Sequence, residues 1–531
     1  MERLPHNAEM ILLSLGLIIA GSCGPVPNSS ALPNDVQIPT SAGIPDSRLT
    51  QGAPVGDSTL VAPGPSMPAE SSQPRLIYAR DDRSIWIWSP EESASRQVTQ
   101  AWPVDDPEHA TGFLTWVASP DSRWLVYYPA TSPIREPAEV EAQFRVVELG
   151  GDQTPLTPDI VLIDRALAAA DLTPPVFLTA APGSQAWSPD SSRLALVSHH
   201  ERPGGAIYVA SLSDPGVRRV ADGPAQELSW SPEGETIAFV RQMIDPRGVT
   251  FRHLAWVPSD GEGASQTLEA DYVHHYGWTL DGDLVVHANI SSEGAPGAPG
   301  RSQLLMIAPR TGAFTVLYEG FVRGADWSTE RGAFAAHIYD LGSMDGLYGI
   351  YEVRREGAVE PLRTGDATIT DSPMPVLNWS PNGESLAWGG SCCPCQLGVI
   401  GVGTVSQTEL SAGCQIGNVR WSPDSRYLFV QEGRLTEAPF SGGFVVLDIQ
   451  TGERIASGRI PIQGDGGNQA AWSIYAAGGY VARVEPRAYQ GKGLQTAIGD
   501  LLLGLVGQGG RVVDSKAATW GPALSWIGGS P

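Results

Sequence analysis

The sequence is poor in positive charge and almost without lysine. Only Lys492 and Lys516 are lysines, and 34 basic residues stand against 58 acidic ones, which gives a formal net charge of −24. Non-specific binding to nucleic acid and docking on anionic lipid both depend on clusters of basic side chains. We therefore expect no nucleic-acid partner and no membrane attachment through surface charge.

The chain also lacks an apolar run long enough to cross a membrane. Met10–Ala20 has 11 residues, whereas a spanning helix needs about 20, and this length is typical of a secretory signal. The small residues before Cys23 resemble the lipobox at which bacterial lipoproteins are cleaved and acylated. The resemblance implies a lipoprotein-type signal peptide at 1–22 and lipid attachment at Cys23. An ordinary cleaved signal peptide is the alternative.

Residues 23–74 lack apolar periodicity and contain ten prolines. Such a segment cannot bury enough apolar surface to offset the entropy cost of folding. As a flexible coil it would reach roughly 40 Å, which suits a tether between a lipid anchor and a folded part at 75–531. We expect the protein on the extracytoplasmic side of the cell envelope, held to the membrane through the lipid alone.

The remainder is rich in turn-forming residues and contains a repeat. The chain has 61 glycines and 44 prolines but is still 42% hydrophobic, which favours many short strands joined by turns. Close copies are WSPDSSRLALVS, WSPEGETIAFV, WSPNGESLAWGG and WSPDSRYLFVQ, and a copy at Ala118 lacks the tryptophan. The copies recur every 42–52 residues, apart from a gap of 69 between Ala118 and Trp187. The tryptophans that anchor the repeats are Trp187, Trp230, Trp278, Trp327, Trp379, Trp421, Trp472 and, in a shortened copy, Trp520.

Each part of the repeat has a physical role. The tryptophan supplies a large apolar face, Ser-Pro sets the dihedral of a turn, and Asp-Gly or Asp-Ser tolerates the tight reversal that follows. Further strands are predicted at 144–149, 207–212, 304–309, 348–353 and 444–449, with a fourth strand often after a Thr-Gly turn. Four antiparallel strands would form each unit. The long insert 159–171 predicts a short helix that Asp159 would cap.

These repeats resemble the WSPDG-type repeats of TolB-like β-propellers, distant relatives of WD repeats. The resemblance implies an all-β chain with one propeller of four-stranded antiparallel blades, about eight of them, with seven or nine as alternatives. Residues 76–100 look like a blade without its first strand, which Trp520–Ile527 would supply from the other end of the chain. The N- and C-terminal segments would then close the propeller.

Loops between second and third strands are predicted on one face and the tight corners on the other. Binding sites usually occupy long loops on a rigid scaffold, so the candidate binding face is the one with the long loops. Its candidate residues are Arg241, Arg247, Tyr339 and Arg434.

A cysteine cluster falls on the same face. In an exported chain, Cys392, Cys393, Cys395 and Cys414 predict disulfides, and proximity favours Cys414 with Cys393 or Cys395. A Cys₄ metal site and a redox C-x-x-C are the alternatives. Metal binding by the pairs His199-His200 and His274-His275 is an alternative, but adjacent histidines on an extended chain point in opposite directions and rarely bind one ion together. We therefore interpret both pairs as partly exposed loop residues. We expect no metal or other cofactor.

The sequence carries no recognisable catalytic motif. It has no G-x-S-x-G, and the repeats leave no room for the α/β-hydrolase domain that accompanies related peptidase propellers. We therefore expect a monomeric, non-enzymatic binding scaffold for an envelope protein, peptide or glycan. The alternatives are a propeller-type hydrolase or lyase with its site in the central funnel, and a purely structural envelope protein.

Lipid attachment at Cys23 is directly testable. Cys23→Ser removes the thiol that would be acylated, so we expect the full chain to move from the membrane fraction to the soluble fraction of the producing cells. Fractionation with immunodetection measures this. Unchanged membrane association, or a mature N-terminus other than Cys23, would contradict the assignment.

Overall fold

Short alternating sequences and tight corners give this chain only β-strands in the part that the computed structural model describes. That part is 75–527, with major gaps at 101–113, 130–144, 150–159, 162–184, 199–204, 245–249, 290–300, 340–347, 365–375, 390–396, 407–414, 435–440, 461–471, 475–479, 487–497, 506–510 and 519–523. Shorter gaps fall at 81, 83, 91, 214–216, 224, 269, 271, 402–403 and 423. Within it, no helix is long and apolar enough to cross a membrane.

The described strands form nine four-stranded units, numbered here along the chain. Unit 1 combines the two ends of the described chain, Arg75–Ala79 (β1), Ile85–Ser89 (β2), Ala94–Gln97 (β3) and Leu524–Ile527 (β35). Unit 2 has Leu114–Ala118 (β4), Trp124–Pro129 (β5), Arg145–Glu148 (β6) and Ile160–Val161 (β7). Unit 3 has Gln185–Trp187 (β8), Arg193–Ser198 (β9), Ala206–Ser211 (β10) and Val217–Asp222 (β11).

Units 4, 5 and 6 form one continuous sheet. Unit 4 has Gln226–Trp230 (β12), Thr236–Ile244 (β13), Thr250–Pro258 (β14) and Gln266–Thr267 (β15). Unit 5 has Tyr272–Trp278 (β16), Leu284–Asn289 (β17), Arg301–Ala308 (β18) and the first half of Ala313–Ser328 (β19). Unit 6 has the second half of β19 with Ala333–Tyr339 (β20), Tyr348–Arg354 (β21) and Val359–Thr364 (β22). A parallel pair, Arg252 with Tyr272, joins unit 4 to unit 5.

Units 7 to 9 are again separate antiparallel sheets. Unit 7 has Val376–Trp379 (β23), Ser385–Gly389 (β24), Leu397–Gly401 (β25) and Thr404–Ser406 (β26). Unit 8 has Gln415–Trp421 (β27), Tyr427–Arg434 (β28), Ser441–Asp448 (β29) and Arg454–Ile460 (β30). Unit 9 has Trp472–Ile474 (β31), Tyr480–Pro486 (β32), Ile498–Leu505 (β33) and Arg511–Ala518 (β34).

These units confirm the predicted third strands and the Thr-Gly turns that lead to β19 and β30. The helix predicted from Asp159 is wrong at its start, because Ile160–Val161 pairs with β6 as the strand β7. Strand pairing satisfies the backbone polar groups there without a helix.

The corners between first and second strands follow the turn chemistry of the repeat. In unit 3 the Ser188 hydroxyl donates to the Asp190 carboxylate at 2.5 Å and accepts from the Arg193 amide at 2.9 Å. Residues with positive φ stand where the repeat has Gly or Ser, as in Ser191 (59°) and Gly234 (71°). In unit 5 the corner contains Asp281-Gly282-Asp283, with Gly282 at 82°.

Middle strands are buried on both sides because each sheet packs between two neighbours. Leu284–Asn289 is buried throughout, which explains why the second strands read as nearly continuous apolar runs. Separate apolar clusters fill the spaces between successive units from unit 1 to unit 8.

The two ends of the described chain meet in unit 1. Strand β35 pairs with β1, with Trp526 opposite Leu76 as Trp187 is opposite Leu194. Unit 9 reaches the same place, because the Asp514 carboxylate accepts hydrogen bonds from the Tyr78 hydroxyl and the Arg80 guanidinium, each at 2.6 Å. Burial and the Asp514 carboxylate raise the pKa of Tyr78, so this phenol stays protonated and donates.

Deleting 524–531 should strongly destabilise the protein. It removes β35, leaves the β1 backbone as an open edge and uncovers Leu76, so the loss should exceed the roughly 1 kcal/mol typical of one substitution. Thermal unfolding measures it, and deletion of 24–60 is the control that should leave the melting temperature unchanged. Equal melting temperatures for the two deletions would contradict a structural role for β35.

Candidate functional site: the inner wall of units 4 to 6

The first strands of successive units lie side by side and form what we call the inner wall: β4, β8, β12, β16, the second half of β19, β23, β27, β31 and β35. A hydrogen bond recurs along it. In units 3, 4, 5 and 8 the indole Nε1 of the anchor tryptophan donates to the residue just before the anchor position of the preceding unit. Trp187 donates to the Val117 carbonyl at 3.0 Å and Trp230 to the Ala186 carbonyl at 2.8 Å. Trp421 likewise donates to the Asn378 carbonyl at 2.9 Å.

This pattern changes at units 6 and 7. Among the described residues, the buried indole nitrogens of Trp327 and Trp379 have no hydrogen-bond partner. The residue before Trp327 is Asp326, the one acidic side chain at this position among the described anchors. Its Oδ2 accepts the backbone N–H of Trp379 at 2.7 Å, and its Oδ1 lies 3.8 Å from Nε2 of His275. Asp326 therefore links the first strands of three units.

Asp326 and His275 differ in their access to solvent. The Asp326 side chain is 19% exposed and that of His275 is 42% exposed. Burial raises the pKa of Asp326, against the lowering influence of His275 and of the backbone N–H groups of Trp379 and Trp327. The arrangement is a sheltered carboxyl group behind a more open imidazole.

A second layer of imidazoles lies behind His275. A bulge in β16 between Val273 and His275 changes the register there, and His275 stands opposite the fully buried His287. The His274 ring stacks on the His287 ring with centroids 4.6 Å apart. Burial lowers the pKa of His274, although a hydrogen bond with Asn289 opposes this.

Unit 4 contributes charged and aromatic groups to the same stretch. Glu227 has a positive φ of 55°, which is unusual for a residue with a side chain and typical of strained sites. Its carboxylate accepts from Arg252 at 2.6 Å, and its carbonyl accepts from the Tyr276 hydroxyl. The Arg252 guanidinium lies 5.6 Å from the centre of the Tyr272 ring. Burial raises the pKa of Tyr276, so its hydroxyl remains a donor.

The predicted binding-face residues have different surroundings in the structure. The Arg241 guanidinium donates to the Asp222 carbonyl at 3.2 Å and to the Ser265 hydroxyl at 2.9 Å, so intrachain bonds occupy it. Arg323 lies 4.5 Å from the ring centre of Tyr339. Arg434 ends β28, away from the corner of its unit. Arg247 lies outside the described residues, as do Cys23, Cys392, Cys393, Cys395, Cys414 and the pair His199-His200, so predictions about them stay predictions.

The His274-His275 pair and the anchor residue of unit 9 differ from what the sequence predicts. His274 and His275, expected in a loop, lie in the first strand β16, because the strand extends past the expected crossover and absorbs the extra residue as a bulge. In unit 9, Ile474 stands opposite Val481, in the register that anchor tryptophans occupy elsewhere, and Trp472 lies two residues earlier. Trp520 is outside the described residues.

The chemistry available on this wall is hydrogen bonding and proton transfer rather than evident metal binding. Among the described residues, no group of three or more histidine, cysteine, aspartate or glutamate side chains could hold a metal ion. An imidazole that faces solvent with a carboxyl group behind it can accept, hold or donate a proton. Sequence reasoning missed the pair, because the two residues are 51 positions apart and meet only through the pairing of units.

Comparison with known proteins shows a fold and no family. No family model matches the chain, and no curated protein matches it. The crystal structure of a eukaryotic initiation factor aligns at 10% identity over 87% of this chain and 100% of that one, with a TM-score of 0.53. At this identity the likeness concerns the fold alone.

Two other solved structures resemble the chain less closely. The β-propeller domain of the Trilobed protease from Pyrococcus furiosus aligns at 14% identity, over 61% of this chain and 93% of that one, with a TM-score of 0.35. A putative TolB from Agrobacterium tumefaciens aligns at 15% identity, over 54% and 87%, with a TM-score of 0.27. In its described part the chain is all-β, and a β-propeller domain is among the solved structures that align with it.

Asp326 should matter for stability through the amide that it accepts. Asp326→Ala leaves the Trp379 N–H without this acceptor, which should cost about 1–3 kcal/mol, whereas Asp326→Asn keeps a carbonyl oxygen in place and should cost less. Chemical unfolding of the full chain measures both. Equal losses for the two variants would show that the hydrogen bond to Trp379 is not what Asp326 contributes.

Proposed function

We propose that this protein is an exported β-propeller of nine blades, tethered to a membrane through a lipid on Cys23, that binds an envelope protein, peptide or glycan. The nine four-stranded units, the pairing of β35 with β1 and the contact of Asp514 with Tyr78 support a closed ring of nine rather than eight blades. The lipobox-like sequence and the proline-rich tether support the localisation.

One observation carries the binding role. Glu227 and His275 of the inner wall and Arg252 of the third strand β14 are partly exposed polar side chains. Glu227 and Arg252 lie near the ends of their strands that are away from the corners. Arg241 and Tyr339 lie toward the same ends of their second strands. Donors, acceptors and aromatic rings are therefore gathered at one end of a rigid array, which is how binding sites are commonly built.

Capture of a partner tests the proposal. The full chain, solubilised with its envelope fraction, is used as bait. We expect alanine at Arg241, Arg247, Tyr339 and Arg434, or at Glu227 and His275, to reduce capture of a reproducible partner at least tenfold. Alanine at the exposed corner residues Asp190, Glu233 and Asp424 is the matched control. A partner lost only with the corner set would place binding on the opposite face.

A second function, acid–base catalysis, is favoured by the pair of His275 and Asp326. The raised pKa of Asp326 beside a more exposed imidazole matches the pattern in which active sites tune titratable groups. We would incubate the full chain with envelope glycans and peptides and analyse products by mass spectrometry. Cleavage that His275→Gln abolishes and Glu233→Gln preserves would establish a hydrolase or lyase, and no cleavage by the wild type would favour binding alone.

A further inference from the structure

Two buried histidines occupy the same place in neighbouring units. His287 is the third residue after Leu284, which stands opposite the anchor Trp278, and His337 is the third after Phe334, which stands opposite Trp327. Their side chains are almost fully buried, at 1% and 0% exposure. Buried histidine is uncommon at these sites elsewhere, where Val197 and Val240 fill the equivalent positions in units 3 and 4.

Both histidines lie at contacts between units. Side chains alternate along a strand, so His287 faces the same way as Val285, which packs with Trp327 and Phe334 of unit 6. His337 faces the same way as Ala335, which packs with Trp379 and Leu386 of unit 7. The two imidazoles thus lie on either side of unit 6.

No side chain in the described part of the chain accepts a hydrogen bond from either imidazole. Among the described residues, no ring nitrogen of either meets hydrogen-bond geometry, although the backbone of Val322 lies near enough to His287 to raise its pKa slightly. The charged or titratable neighbours of His287 are His274 and His275, and that of His337 is Arg323. The residues opposite them on their third strands are apolar, Leu304 and Ile350.

The nearby carboxylates are engaged elsewhere. Asp326 faces His275 and the Trp379 amide, and Glu227 accepts from Arg252. The buried Glu352, opposite Ala335 on β21, is paired with Arg331 and Arg354. A proton on His287 would therefore add an unpaired charge beside two other imidazole rings, and one on His337 would add it beside the Arg323 guanidinium.

We infer that His287 and His337 form an acid-sensitive latch, in which protonation loosens the packing of unit 6 against units 5 and 7. The latch would alter the inner wall, since Asp326 is carried by unit 6 and His275 by unit 5. It goes beyond the proposed binding role and does not require it.

The direction of the pH dependence follows from burial. Burial lowers the pKa of His337 to about 4 and that of His287 well below 6.5. The opened state, with ordinary histidines, binds more protons below pH 6.5. The closed packing is therefore fully stable above pH 6.5 and weakens as the pH falls from 6.5 toward 4. At pH 5.5 each histidine should favour opening about tenfold.

Hydrogen–deuterium exchange of the full chain at pH 7.5 and 5.5, corrected for intrinsic rates, tests the latch. We expect peptides covering β17 and β20 to lose protection at least tenfold at pH 5.5, while those covering β10 and β13 lose little. His287→Leu with His337→Leu should remove the difference, and His253→Leu, on the neighbouring strand β14, should retain it. Glutamine at both positions is a second neutral pair in case leucine impairs folding.

Each contrary result is decisive. Uniform loss of protection over all units, or no loss in the wild type, would overturn the latch. A pH effect that persists in folded leucine and glutamine variants would assign it to other groups. Partner capture at pH 7.5 is measured separately, so failure of the latch and failure of the binding proposal are distinguishable.

Discussion

In units 3 to 8 the packing of one tryptophan against the unit before it is the interaction on which the rest of this structure depends. The indole ring fills the space between two sheets, and its N–H reaches a backbone carbonyl of the neighbouring first strand, as Trp230 does with Ala186. A first strand pairs with a second strand on one side only, so its backbone carbonyls on the other side have no strand partner. The indole N–H supplies a donor to one of these carbonyls. Where it forms, in units 3, 4, 5 and 8, the bond ties each first strand to the first strand of the unit before it.

The same dependence explains where polar chemistry can be placed. The residue before each anchor supplies the acceptor of this bond where it forms, as Ala186 does for Trp230. At unit 6 that residue is Asp326, and its carboxylate takes the Trp379 amide while two buried indoles lack the bond found elsewhere. At this place the inner wall lacks two of the regular indole hydrogen bonds and has instead a carboxyl group 3.8 Å from an imidazole. Functional sites commonly depart from the regular pattern of their fold in this way.

The sequence predicts the repeat well because its signals are local. Ser-Pro-Asp-Gly corners and apolar runs such as Leu194–Val197 act within a dozen residues, and their strands appear as expected. The count of nine units follows from which strands pair with each other along the chain. Local sequence signals determine that pairing less firmly than they determine turns. In unit 9 the weak corner after Ile474 lacks proline and aspartate, so the tryptophan nearest to the pattern is not the residue in the anchor register.

The candidate site resists prediction for a different reason. His275 and Asp326 meet only because β16 contains a bulge and because β19 serves two units, as the outer strand of one and the first strand of the next. Spacing in the sequence records neither feature. A histidine in an apolar run, such as His287 within LVVHAN, is the one local signal: an apolar residue would pack better there, since burying an imidazole without a partner is costly. That cost falls at the contact between two units, where a small separation of the units relieves it. His287 therefore makes the stability of the contact depend on pH. Val240, at the same position in unit 4, cannot do this because valine does not titrate.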